Sequence, residues 1–176
     1  MKLVVDLDDT LINTTNLNND AYNFALDYFG YPRIITKDRL TRDSLSFLSN
    51  NELKSIIHLK QYYFTRNWLP YRVVVNNELL KIIINNKDDC FLWTKADINR
   101  ANKILDLCDL KNHFNNVIFD KKTSFGKSIN LLKEHTNSDN FIIYENNHKF
   151  FENKNVKITN TIKNKYFDVL GYFINF

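Results

Sequence analysis

The first eleven residues constrain this chain more than any other segment. Leu3-Val4-Val5 is a short apolar run with β-branched members, and it ends at once in Asp6-Leu7-Asp8-Asp9-Thr10-Leu11. Consecutive apolar residues without alternation describe a strand buried on both faces, as in a parallel sheet. The carboxylates then fall at the carboxyl end of that strand, where open α/β sheets bind their ligands. Asp6 and Asp8 can converge on one small volume only if a cation offsets their repulsion. Hard oxygen donors of this kind suit a divalent ion such as Mg²⁺. Without a cation, one of the pair would take a raised pKa and serve acid/base chemistry.

Downstream, apolar residues recur at helical steps in Ala21, Phe24, Ala25, Tyr28 and Phe29, and Gly30 supplies a stop. Further helical patterning in Leu40 to Phe47 and Glu52 to Trp68 makes residues 14–72 an all-helical stretch, closed by Pro70. After Val73 the pattern becomes alternating. Short apolar runs at Cys90-Phe91-Leu92-Trp93, Val117-Ile118-Phe119, Phe141-Ile142-Ile143-Tyr144 and Val156-Lys157-Ile158 read as strands. Helical segments precede or separate them at Glu78 to Asn85, Asp97 to Leu107 and Lys127 to Glu134. Strands alternating with helices imply an α/β, Rossmann-like three-layer core on a parallel sheet. Residues 1–13 and 73–176 form that core, and 14–72 a small all-helical insert.

Composition agrees with one domain carrying an insert. The 176 residues are 44% apolar, and a chain of this length buries on the order of 70% of its unfolded surface without staples. Disorder and coiled coil are excluded on that ground. The charge excess is 24 − 20 = +4. With no run of five basic residues, it reads as a solvated surface, so nucleic acid is a disfavoured partner and a small anion a better one. Cys90 and Cys108 match no metal-ligand spacing and read as reduced, buried thiols. No signal-peptide or membrane-spanning apolar run is found, so the expectation is a cytoplasmic protein without membrane contact.

In an α/β sheet the residues just past each strand carry the chemistry. The second strand leads into Thr94-Lys95, a hydroxyl and an ammonium that both donate to phosphate oxygens. Past the third come Asp120-Lys121-Lys122-Thr123-Ser124, then Lys127 at a helix start, where the dipole also favours an anion. Glu145-Asn146-Asn147 closes the fourth.

This order of carboxylate pair, hydroxyl, lysine and carboxylate resembles the haloacid dehalogenase-like superfamily of aspartyl-phosphate phosphohydrolases. The stretch Leu3 to Leu11 is very close to its first motif, and Thr94 matches the second. The helical insert resembles the small helical cap of one large branch. The third-motif lysine is either Lys122, 145 − 122 = 23 residues before Glu145, or Lys127. The fourth motif departs from the pattern, because Glu145 stands where Asp is usual.

The resemblance implies a Mg²⁺-dependent phosphatase acting on a small phosphorylated substrate, such as a sugar phosphate or nucleotide. Asp6 is then the nucleophile and Asp8 the general acid and base. Thr94, Lys95 and Lys122 or Lys127 bind the phosphoryl oxygens. Asp6, Asp8 through its main-chain carbonyl, and Glu145 hold the metal, with Asn146 as an additional candidate. Two other functions stay open: a catalytically weakened binding or regulatory protein, and a phosphatase of a nucleic-acid end or phosphoprotein. The chain is expected to be a monomer or homodimer, with its apolar tail, Tyr166 to Phe176, packing on the core or on a partner.

Other residues carry plainer readings. Asp9 reads as a solvated or helix-capping carboxylate, and Asn13 and Thr14 as turn or cap residues. His58, His113, His135 and His148 share no ligand spacing. Phe91 and Trp93 read as sheet packing. Tyr22, Tyr28, Tyr62, Tyr63 and Trp68 read as helix packing.

Overall fold

The computed structural model describes residues 1–68 and 73–175. The chain divides into two compact units, Met1–Asn13 with Val74–Phe176, and Thr14–Val73.

The first unit is built on a six-stranded sheet. Its strands are β1 (Lys2–Val5), β4 (Cys90–Thr94), β5 (Asn116–Phe119), β6 (Asn140–Glu145), β7 (Lys157–Lys163) and β8 (Asp168–Asn175), in the order β5-β4-β1-β6-β8-β7. β1 runs parallel to both its neighbours, with Val5 opposite Leu92 on one side and Tyr144 on the other. The sheet therefore flanks its central strand with the two strands whose ends carry Thr94 and Glu145. One face packs Val4, Phe91, Trp93, Ile118, Phe141, Ile143 and Ile174 against Ile129 and Leu132 of helix α5 (Phe125–Thr136). Leu3, Val5 and Leu92 on the other face are equally buried, which explains why β1 and β4 read as continuous apolar runs. Helices α3 (Asn77–Asn85) and α4 (Ile98–Leu107) bury Leu79, Ile83, Ala101, Ile104 and Leu105.

The far edge differs from the expected all-parallel sheet. Of the run expected at 156–158, Lys157 and Ile158 begin a longer strand and Val156 lies just before it, and the apolar tail is itself a strand: β8 inserts between β6 and β7 and is antiparallel to both. The tail thus buries Val169, Tyr172 and Ile174 within its own sheet. A second short pair, β2 (Ile12–Asn13) and β3 (Val74–Val75), joins the points where the chain leaves this unit and re-enters it.

In the second unit, α1 (Thr15–Tyr28) and α2 (Asn50–Arg66) pack around Tyr22, Ala25, Leu26, Leu40, Leu45 and Ile56. The helix expected over Leu40 to Phe47 is reduced to one 3₁₀ turn, Asp43–Leu45. Much of the 29–49 connection is held instead by side-chain amides. Asn18 donates to the Leu40 carbonyl at 2.9 Å, and Asn19 donates to that of Asp38 at 2.8 Å and accepts from Leu40 N–H at 2.8 Å. α2 opens with a capping box, Ser49 accepting from Glu52 N–H and Glu52 from Ser49 N–H. The expected stop at Pro70 lies outside the described residues.

Candidate active site

The carboxyl ends of β1, β4, β5 and β6 open on one side of the sheet, as parallel pairing requires. Past Val5, the Asp6 N–H still donates to the Tyr144 carbonyl at 3.0 Å, holding Asp6 in the sheet line. The chain then turns tightly: Leu11 and Ile12 N–H both donate to Leu7 O, and Asp9 takes the left-handed conformation with φ 59°. Asp9 is thus a turn residue, a conformation that short polar side chains tolerate.

Lys122 joins the two flanking carboxylates. Its Nζ lies 2.6 Å from Asp6 Oδ1 and 2.6 Å from Glu145 Oε2, and all three residues are buried. Burial pushes the Asp6 carboxyl up to about 7, Glu145 and Asp8 add to the shift, and Lys122 opposes it. Burial alone would lower the Lys122 pKa, but Asp6 and Glu145 outweigh it and hold the ammonium above its ordinary value. Glu145 uses its other oxygen, Oε1, to accept from Asn146 and Asn147 N–H, each at 3.1 Å. Its extra methylene lets the carboxylate fold back on its own loop while still reaching the lysine. Asn146 is tied to Thr10, which accepts its N–H at 3.1 Å and donates to its Oδ1 at 3.2 Å.

Thr94 is buried at the end of β4, and its Oγ1 accepts from Ala96 N–H at 3.0 Å. Of the two lysines left open by the sequence, Lys122 sits between the carboxylates, whereas Lys127 is exposed in the first turn of α5. Lys95 is also exposed. Asp8 pairs with a residue that strand-end reasoning passes over, Arg100. Arg100 lies in the first turn of α4, behind the Asp97 cap, and its side chain is 6% exposed. A cation opposes the dipole at that helix end, so Asp8 supplies the compensating charge. Among the described residues no three His, Cys, Asp or Glu side chains form a metal-binding cluster.

No family model and no curated protein matches the sequence. Solved structures do match. A haloacid dehalogenase-like family hydrolase from Streptococcus pneumoniae superposes with a TM-score of 0.65 at 14% identity, over 81% of this chain and 73% of that one. The chain has the haloacid dehalogenase-like fold. A predicted phosphatase from Clostridium acetobutylicum gives a TM-score of 0.63 at 16% identity, covering 81% and 74% of the two chains. CbbY from Rhodobacter sphaeroides, solved in complex with phosphate, gives 0.61 at 14%, covering 81% and 76%. The haloacid dehalogenase-like core of this chain thus carries Asp6, Thr94, Lys122 and Glu145 at the ends of four neighbouring strands, with Asp8 in the turn after the first. No helix among the described residues is long and apolar enough to cross a membrane.

Proposed function

We propose that this protein is a Mg²⁺-dependent phosphatase that hydrolyses a phosphomonoester of a small metabolite through an aspartyl-phosphate. The observation that carries this reading is the buried Asp6–Lys122–Glu145 triad, with Nζ 2.6 Å from each carboxylate. In this reading Asp6 is the nucleophile and its neighbours bind the group it attacks. The CbbY structure, solved with phosphate, has the same fold and supports the reading.

Asp6 Oδ attacks phosphorus as the ester P–O bond breaks, and Asp8, released from Arg100 and protonated from solvent, delivers that proton to the departing oxygen. Water then attacks the aspartyl-phosphate; Asp8 takes its proton, and Asp6 and inorganic phosphate are released. Asp8 is turned toward Arg100, so that pair opens when a leaving group takes its place. Thr94 and Lys122 bind the phosphoryl oxygens, whose charge spreads in the transition state.

The donors suit a hard divalent ion. Two carboxylates and one ammonium leave the buried triad with one surplus negative charge, and the raised pKa of Asp6 marks the penalty a cation relieves. Mg²⁺ is commonly held by one or two carboxylates with waters and substrate phosphate. Asp6, the Asp8 carbonyl and Glu145 would hold it, and it would neutralise charge on the transferring group. The small-metabolite part of the proposal rests on the resemblance, in which an insert at this point of the chain selects the substrate. The engagement of both Glu145 oxygens within the protein favours one second reading, a binding protein with weakened turnover.

Phosphate release from a panel of sugar phosphates and nucleotides, with Mg²⁺ and with chelator, separates the two. Metal-dependent release from at least one ester supports the phosphatase. Binding of phosphate without release from any ester supports the second reading.

A further inference from the structure

Lys122 reaches its carboxylates by an indirect route. It follows β5, yet Asp6 follows β1 and Glu145 ends β6, so the side chain must pass over β4. The register sets Trp93 level with Asp6 and Glu145 on the same face, since Val5 is opposite Leu92 and Tyr144. At that crossing, Lys122 Nζ lies 3.9 Å from the centroid of the Trp93 ring. The edge of the same indole donates from Nε1 to Asp120 Oδ2 at 3.0 Å, and Asp120 Oδ1 accepts from the Lys122 N–H at 3.0 Å. Lys122 is held there in the left-handed conformation with φ 50°. One carboxylate therefore ties the indole edge to the lysine backbone, while the indole face meets the lysine tip.

We infer that Trp93 is a positioning residue for Lys122, guiding its ammonium across β4 to the nucleophile; the catalytic part of this rests on the phosphatase reading above. Apolar packing alone does not call for tryptophan here, since the ring belongs to an apolar cluster with Val4, Phe91 and Ile118 and meets Phe150 edge-on at 5.7 Å, and a phenylalanine would fill such a site without a polar edge. A buried indole N–H needs a partner, and here the partner is the carboxylate that also fixes Lys122. The long lysine stem has many rotamers. An aromatic face restrains the cation without a net charge that would repel an incoming phosphoryl group, and tryptophan is the strongest such face. The aromatic at this position is thus part of the phosphate-binding apparatus as well as of the core.

The test uses the full chain carrying Trp68→Phe, which leaves Trp93 as the single tryptophan. Adding Lys122→Met, or Lys122→Gln should the first variant not fold, is expected to raise indole emission, because an ammonium over the ring quenches it by proton donation. With p-nitrophenyl phosphate, Trp93→Leu is expected to lower kcat about tenfold with a smaller change in KM, and Trp93→Phe to recover most of that loss. Indistinguishable emission with and without the ammonium overturns the proposal, as does a folded Trp93→Phe no better than a folded Trp93→Leu. The emission comparison needs no turnover. A positive emission result in a protein that releases no phosphate would fail the phosphatase reading and leave the placement of Lys122 standing.

Discussion

Replacing Lys122 by methionine keeps the stem and most of its volume but removes the charge between Asp6 and Glu145. Both contacts are 2.6 Å, and the lysine is only 5% exposed. Removing one partner from a buried ion pair costs about 3–5 kcal/mol. For a chain of this size each kcal/mol shifts Tm by about 2–4 °C, so the expected loss is about 6–20 °C. The loss should depend on pH. Lys122 lowers the Asp6 pKa, which is raised overall from 3.8 to about 7, so its removal drives that pKa further up. A carboxyl raised on folding stabilises fully below its unfolded pKa and loses that stability as pH rises through its folded pKa. The deficit of Lys122→Met should therefore be smaller near pH 5, where Asp6 is neutral in the folded protein and the contact with Glu145 alone is lost, than near pH 8. Thermal melts of both proteins by circular dichroism at the two pH values measure it. An equal deficit at both pH values, or a variant as stable as the parent at pH 8, refutes the reasoning.

Other perturbations probe the scaffold. Asn76 is buried, caps α3 by accepting from Leu79 N–H at 3.2 Å, and donates to Thr10 O at 3.0 Å; Asn76→Ala should cost about 2 kcal/mol in urea denaturation. At Gly171 an added Cβ would lie 3.0 Å from Thr159 Oγ1 and 3.2 Å from Tyr144 Cε1, so Gly171→Ala should destabilise by about 1–3 kcal/mol in the same assay. Glu52 is pulled down to about 2, first by its hydrogen bond with Ser49 and then by that from Tyr31. Its stabilising contribution is present above 4.5 and lost as pH falls toward 2, so the Tm gap between parent and Glu52→Gln should close across that window.

Much of the site is legible at the strand ends. An apolar run that stops in a carboxylate, a hydroxyl or a glutamate marks where the sheet opens, which is why Asp6, Thr94 and Glu145 stand out without any structure. The lysine could not be settled that way. Lys122 and Lys127 are both near the end of β5, and the choice depends on a left-handed φ at Lys122 and on the indole that it crosses. Arg100 was invisible for a different reason: it is separated from Asp8 by 92 residues and belongs to a helix face whose neighbours are apolar. The antiparallel edge escaped because β8 is mostly buried between β6 and β7, so its residues show no clean alternation. Trp93 was legible as core, but its polar edge acquires meaning only through Asp120.

The proposed chemistry turns on Asp6 as the nucleophile. Asp6→Asn keeps the size of the side chain and removes its charge beside Lys122, so circular dichroism should show a folded protein. With a substrate that the parent hydrolyses in Mg²⁺, steady-state phosphate release by this variant should fall at least about a thousandfold. A folded Asp6→Asn protein that releases phosphate at the parent rate would contradict the central claim.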